Sequence, residues 1–218
     1  MQPEFWHERW RRGQTAFHQS QVDRHLRQHW QDLGLDRGSR VFVPLCGKSL
    51  DLLWLRDRGH SVVGVELSSV ALQALCMENG IPAKRRTKPD FDIYEAPNLE
   101  LLCGDFFALT PASVGNIAAV YDRGALISWT DELRQPYVEH MTRLAPAGAK
   151  TLLITLEYPQ VQTAGPPFSI PTAEVERLYA DRFAIKELSR HDTLANEPRM
   201  RARGVTELFE VCYRLTRR

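Results

Sequence analysis

A carboxylate that closes a short apolar run, nineteen positions after a turn glycine, stands where it can take two hydroxyl hydrogen bonds at once; Glu66 is so placed relative to Gly47. Such a pair of bonds holds a ribose diol, and with it a nucleoside. The competing reading makes Glu66 a solvated loop residue or a cap for the helix that follows. Gly47 itself lies in Pro44-Leu-Cys-Gly-Lys-Ser49, a turn whose backbone amides and helix start would face a ligand. Gly47-Lys48-Ser49 does not make a phosphate-binding P-loop, because the second glycine that motif needs is replaced by Phe42. With only Gly47 present, a dinucleotide pyrophosphate also lacks its glycine bed, so a smaller ligand is expected.

Three further segments could contribute. Gly104-Asp105-Phe106-Phe107 offers a small residue, an acceptor and two rings, either an adenine slot around Asp105 or an ordinary turn. Tyr121-Asp122-Arg123-Gly124 sets a charged pair beside an apolar run, which reads equally as a functional pair or a structural ion pair. The proline-rich stretch from Tyr158 to Phe168 is either a roof over the site or a plain connector. Arg199, Arg201 and Arg203 form a surface cluster, or one of them turns inward toward an anionic substrate.

Other chemistries find little support. His25 and His29 are one helical turn apart, but no carboxylate or cysteine nearby in sequence completes a metal-ligand spacing, so a solvated helix face and no metal are expected. The four cysteines, Cys46, Cys76, Cys103 and Cys212, contain no Cys-x-x-Cys pair, which points to packed, reduced thiols. Cys46 alone sits near a helix start that would acidify it. There is no Gly-x-Ser-x-Gly elbow for an acyl-transfer serine.

These residues need a scaffold, and the hydrophobic pattern describes one. Arg40 to Leu45 reads as a buried strand, Ser49 to Arg58 as a helix with Leu50, Leu53 and Trp54 on one face, His60 to Glu66 as a second strand, and Ser68 to Glu78 as a helix N-capped by the Ser68 side chain. Leu99 to Cys103, Asn116 to Asp122 and Lys150 to Leu156 supply further strands, with a helix from Leu133 to Leu144 before the last of them. This alternation predicts an α/β fold with a mostly parallel sheet covered by helices on both faces, whose ligand site lies beyond the carboxyl ends of the strands. After a helix from Ala173 to Asp181, Phe183 to Leu188 and Glu207 to Leu215 are expected to pair as a terminal antiparallel hairpin. Residues 83–98 do not fit the alternation and are expected to lie over the surface as an insertion. The first forty residues carry Trp6, Trp10, Phe17 and Trp30 among polar neighbours and read as a helical cover rather than as core.

Composition sets the outer bounds. A chain of 218 residues, 43% hydrophobic, is long enough for one core, so a single domain is expected: a cover over 1–38 and an α/β core over 39–218. The balance of 28 basic against 27 acidic side chains leaves no excess cation for a nucleic acid or an anionic membrane, and neither partner is expected. The lack of a long apolar run or a signal-peptide pattern makes a cytoplasmic location the expectation, and a monomer the expected state.

Several motifs in one order resemble a known family. Phe42-Val-Pro-Leu-Cys-Gly-Lys-Ser-Leu-Asp51, Asp57-Arg-Gly-His-Ser-Val-Val-Gly-Val-Glu-Leu-Ser68, Tyr121-Asp-Arg-Gly-Ala-Leu126 and Gly165-Pro-Pro-Phe168 are similar to the thiopurine S-methyltransferases, in particular bacterial ones. Trp6-x-x-x-Trp10 and Gly13-Gln-Thr-Ala-Phe-His18 extend the likeness almost end to end. The resemblance implies a Rossmann-like class I methyltransferase with a seven-stranded sheet, S-adenosyl-L-methionine as cofactor, and transfer of its methyl to the sulfur of a small thiopurine-like thiol. Related enzymes also act on selenium or tellurium compounds, which implies a part in their detoxification.

Carried over position by position, the resemblance implies that Trp6 and Trp10 close over the cofactor, Leu45 touches its methionine portion and Glu66 its ribose. Gly47 and Asp105, read from their places at the strand ends, join the expected cofactor-binding set, and Arg123 matches a cofactor-site arginine of the family. Phe17, Pro167 and Arg199 match positions near the acceptor, with Arg123 and Arg199 as the catalytic arginines that favour the thiolate. The region around Arg199 matches the family weakly. Two other classes stay open on the residues alone, a non-catalytic nucleoside-binding sensor and an NAD-dependent oxidoreductase.

Overall fold

The alternation of Val41 and Val43 with Phe42 already assigns two faces to the first strand, because successive side chains of a strand point to opposite sides. The computed structural model, which describes residues 3–218, bears this out. Phe42 packs into a core with Val63, Val65, Leu102, Val120 and Leu153, whereas Val41 and Val43 pack into a second core with Val62, Leu101, Ala119, Leu152 and Ile154. A sheet buried on both faces is the consequence.

The chain runs α1 (Pro3–Arg11), α2 (Arg24–His29), β1 (Arg40–Val43), α3 (Asp51–Asp57), β2 (Ser61–Glu66), α4 (Ser69–Glu78), β3 (Lys84–Thr87), β4 (Asp92–Ala96) and β5 (Leu99–Cys103). It continues through α5 (Pro111–Val114), β6 (Ala119–Arg123), α6 (Asp131–Leu144), β7 (Lys150–Glu157), α7 (Thr172–Tyr179), β8 (Phe183–Asp192), α8 (Pro198–Ala202) and β9 (Phe209–Arg217). One nine-stranded sheet has the order β3-β4-β5-β2-β1-β6-β7-β9-β8. β5, β2, β1, β6 and β7 are mutually parallel, and β9 and β8 close one edge as the expected antiparallel hairpin. Strand order reverses between β1, whose other neighbour is β2, and β6, so a crevice opens there beyond the strand ends.

Three expectations are corrected. Residues 83–98 do not lie over the surface: β3 and β4 form an antiparallel hairpin that extends the sheet beyond β5, which raises the seven strands expected to nine. The signal was obscured because β3 is the exposed edge, with Lys84, Arg85 and Arg86 in succession and no apolar alternation. α3 begins at Asp51 rather than Ser49, and its fully buried apolar side chains are Leu52 and Leu55, with Leu53 and Trp54 half-buried against the same core. The expected cover divides in two: Leu26, Trp30 and Leu33 are buried in the core beside β7, and the aromatic segment from α1 to His18 is what remains outside it. Residues 1 and 2 of that cover lie outside the described residues. Among the described residues no helix is long and apolar enough to cross a membrane.

Candidate active site

The crevice is built from the loops that leave β1, β2, β5, β6 and β7. After β1 the chain must turn at once into α3, and it does so with Leu45 at φ 47° and Gly47 at φ 53°. A leucine in the left-handed region is strained by roughly 1–2 kcal/mol, a cost met where the surrounding structure over-determines the turn. Here Cys46 N–H donates to the Val65 carbonyl at 2.9 Å and Gly47 N–H donates to Glu66 Oε2 at 2.9 Å, fixing the loop against the end of β2.

Glu66 is buried, and its second oxygen accepts the Ser68 N–H at 2.8 Å. Burial raises its carboxyl pKa, and the amides of Ser68, Gly47 and Leu67 oppose that rise. The Gly47 and Ser68 hydrogen bonds go to different oxygens, and the acceptor capacity that remains fits a vicinal diol and, through it, a nucleoside. Ser68 stands at the N-cap position of α4 as expected, but its side chain makes no capping bond; the Glu66 carboxylate takes the amide instead.

Cys46 is the reverse of an activated thiol. It is buried, and burial together with the Glu66 carboxylate pushes its pKa well above the ordinary thiol value. The acidification a helix start can give does not occur, first because the thiol is buried and second because the neighbouring charge is negative.

The aromatic cover rests on this loop. Trp10 is 6% exposed and its ring would meet a Cβ on Gly47 at 3.1 Å, so glycine suits both the positive φ and the indole packed on it. Phe17 meets Trp6 at 5.7 Å and Trp10 at 5.4 Å between ring centroids, both edge to face, and is itself 41% exposed. These three rings form one group, as the four-residue spacing of the tryptophans on α1 requires.

Beyond β5, Asp105 is exposed and caps a short 3₁₀ turn by accepting the Phe107 N–H at 2.9 Å. Phe106 drops into the core against Tyr137, and Phe107 stays at the surface beside Trp129. The ordinary-turn reading of this segment therefore accounts for the Asp105 carboxylate, while Phe107 leaves a ring face toward solvent.

At the end of β6 the expected Asp122–Arg123 pair does not form. Asp122 points into the core, where Oδ2 accepts the Tyr137 hydroxyl at 2.7 Å and Oδ1 accepts the Leu126 N–H at 3.1 Å, and burial lifts its pKa to about 6. Arg123 turns the other way, with Nε 3.5 Å from Asp23 Oδ2. Asp23 is the buried N-cap of α2; its own N–H donates to Asp51 Oδ1 at 2.8 Å, and Asp51 Oδ2 accepts the Tyr121 hydroxyl at 2.9 Å. Asp23 and Asp51 were missed in sequence because they are 28 residues apart and their shared role is tertiary; the N-cap position of Asp23 was the one local signal. His18 was missed as well. Burial, together with the Lys48 and Arg123 charges, lowers its pKa.

Beyond β7 the proline loop is fastened at its base. The Tyr158 hydroxyl donates to the Pro167 carbonyl at 2.6 Å, and Phe168 N–H donates to the Ile127 carbonyl at 2.7 Å, joining this loop to the one after β6. Arg199 on α8 donates from Nη1 to the Ala16 carbonyl at 2.6 Å, next to Phe17, and lines a surface hollow with Arg9, Gly13 and Thr15. Arg201 and Arg203 remain exposed. Of the three arginines, Arg199 is the one that reaches the aromatic cover.

The family model described as Thiopurine S-methyltransferase (TPMT) matches residues 1–218. The chain is 43% identical over 218 residues to a thiopurine S-methyltransferase of Nitrosospira multiformis, covering 100% of this chain and 99% of that one. It is 46% identical over 217 residues to the enzyme of that name from Xanthomonas campestris pv. campestris, covering 100% of both. In fold it is similar to an S-adenosylmethionine-dependent methyltransferase from Anabaena variabilis, with a TM-score of 0.63, 13% identity and coverage of 99% and 95%. A 1,6-didemethyltoxoflavin-N1-methyltransferase from Burkholderia thailandensis, solved with S-adenosylhomocysteine, gives a TM-score of 0.62, 14% identity and coverage of 98% and 87%.

Proposed function

Because the chain belongs to the thiopurine S-methyltransferase family, and so is a methyltransferase that uses S-adenosylmethionine, we propose that its acceptor is the sulfur of a small aromatic or heterocyclic thiol. The observation that carries this reading is the packing of Trp10 on Gly47, next to the Glu66 carboxylate that holds the same glycine. It brings an aromatic cover and a diol acceptor to one loop.

S-adenosylmethionine, when bound, would supply an electrophilic methyl on a sulfonium: a thiolate attacking that carbon in line would form the new S–C bond as the sulfonium S–C bond breaks, its electron pair leaving with S-adenosylhomocysteine. Glu66 accepts the ribose hydroxyls and Leu45 packs on the methionine portion, with Gly47 giving the close backbone approach. Asp105 and the exposed face of Phe107 border the adenine side. Trp6, Trp10 and Phe17 exclude water and offer ring faces to the positive charge, an attraction of roughly 0.5–2 kcal/mol depending on desolvation. Arg123, held by Asp23, presents its remaining N–H groups to the cofactor's carboxylate end.

Phe17, Pro167 and Arg199 border the acceptor, and Arg199 favours its thiolate by charge-assisted hydrogen bonding. Alignment of the two reactants accounts for most of the acceleration: orientation can supply roughly 7–11 kcal/mol, against about 10²–10⁴-fold for a general base. An acidic thiol needs little help in losing its proton. Selenium and tellurium nucleophiles, softer and more easily ionised, fit the same requirements.

Incubation of the protein with S-adenosylmethionine and a small aromatic thiol should yield a methyl thioether and S-adenosylhomocysteine in equal amounts by mass spectrometry. Reduced selenium and tellurium species form parallel arms of the assay. Absence of S-adenosylhomocysteine with every sulfur acceptor, while another nucleophile is methylated, would overturn the thiol assignment.

A further inference from the structure

Away from the crevice, the two histidines expected on a solvated helix face are buried, and the fold supplies the ligand their sequence neighbourhood lacked. His25 and His29, one turn apart on α2, converge with Cys212 of β9 so that one donor atom from each lies within 4.8 Å of the others. From this cluster we propose a second site on the protein, a Zn²⁺ site formed by His25, His29 and Cys212.

The hydrogen bonds around the rings argue for it. Each imidazole turns one nitrogen inward to the same hydroxyl: His25 Nδ1 is 3.1 Å and His29 Nε2 3.0 Å from Ser189 Oγ. Each turns the other nitrogen outward to a carboxylate, His25 Nε2 to Glu210 Oε2 at 3.0 Å and His29 Nδ1 to Asp32 Oδ2 at 3.4 Å. Arg24 Nε donates to His25 Nε2 at 3.3 Å, and the Arg24 guanidinium also pairs with Glu210 at 3.0 Å. A neutral imidazole that donates to an outer carboxylate keeps its lone pair on the inner nitrogen. With both outer nitrogens protonated, two inner lone pairs face one hydroxyl and a cation satisfies both; without a cation, His25 Nδ1–H donating to Ser189 Oγ, and Oγ–H to His29 Nε2, closes the same network. Carboxylates behind metal-bound histidines are the usual outer shell, fixing the tautomer and raising ligand basicity.

Cys212 completes the donor set. It pairs in register with Ser189 across the β8–β9 ladder, at the bulge between Glu187 and Ser189, so both side chains meet α2 on one face of the sheet. Two imidazoles and a thiolate suit a borderline cation such as Zn²⁺ far better than Mg²⁺ or Ca²⁺, which take oxygen donors. A bound Zn²⁺ would take Zn–N of about 2.0–2.1 Å and Zn–S of about 2.3 Å from these donors. The ion would join α2 to the sheet two residues beyond Asp23, and so steady the partner of Arg123.

The test uses the metal-stripped full-length protein titrated with Co²⁺ as a spectroscopic stand-in for Zn²⁺. The expected result is one equivalent bound, with the d–d bands of tetrahedral cobalt and a thiolate-to-cobalt charge-transfer band, both abolished by added Zn²⁺. Cys212→Ser should lose the charge-transfer band, His29→Gln should weaken binding at least tenfold, and Cys76→Ser should retain the wild-type spectrum. Wild-type protein that shows no tetrahedral Co²⁺ spectrum overturns the site. So does a charge-transfer band that survives in Cys212→Ser. If Cys212→Ser does not fold, the wild-type titration and His29→Gln decide.

Discussion

Arg123 Nε lies 3.5 Å from Asp23 Oδ2, an ion pair that ties the end of β6 to the N-cap of α2 across a hundred residues of sequence. Asp23 performs two tasks at once, since Oδ1 accepts the amides of His25 at 2.8 Å and Leu26 at 3.1 Å. The tasks separate by substitution. Asp23→Ala removes cap and charge and should cost about 0.5–2 kcal/mol from the cap alone. Asp23→Asn keeps a capping oxygen and should retain more of the stability in thermal denaturation, while still freeing Arg123.

Glu66 carries a heavier consequence. Its two oxygens hold the amides of Gly47 and Ser68, and the same carboxylate is proposed to receive the ribose diol. Glu66→Gln leaves one oxygen and an unwanted donor against the other amide. Titration calorimetry with S-adenosylmethionine should show affinity lower by tenfold or more, about 1.4 kcal/mol or above. Unchanged affinity would remove the ribose assignment.

Trp10→Ala should weaken cofactor binding by about three- to thirtyfold, since it removes both the ring on Gly47 and the edge-to-face contact with Phe17. The same calorimetric measurement checks it, and equal binding by the variant would reject the lid role of α1.

Asp122 gives a prediction in pH. Its folded pKa of about 6 lies above the ordinary aspartate value of 3.8 because burial disfavours the carboxylate, so folding takes up a proton between those values. The contribution of this group to stability is full below about pH 4, is lost as pH rises toward about 6, and is level above that. Asp122→Asn cannot titrate and should flatten that part of the curve. The comparison is melting temperature against pH for both proteins; parallel curves between pH 4 and 6 would refute the assignment.

Arg199 is tested by the charge of the acceptor. If it favours a thiolate, Arg199→Ala should lower kcat/KM more for an acidic thiol than for an uncharged acceptor, by about tenfold. A structural role alone, through its bond to the Ala16 carbonyl, would lower both equally.

Glu66, Gly47 and the strand ends were legible in the sequence because they depend on local order: an apolar run, a turn residue, and a fixed spacing across one βαβ unit. The aromatic cover was legible for the same reason, the tryptophans of α1 being one helical turn apart. Tertiary structure decided everything that rests on distant partners. It turned Asp122 into the core and Arg123 toward Asp23, because a buried carboxylate is held by the Tyr137 hydroxyl while a guanidinium at the sheet end needs a charged partner. It reversed the expectation for Cys46, whose neighbour in space is the Glu66 carboxylate. It also brought Cys212 to His25 and His29 across 187 and 183 positions, a juxtaposition no spacing rule contains. Spacing encodes what one element presents, and only packing determines which charges, lone pairs and thiols meet.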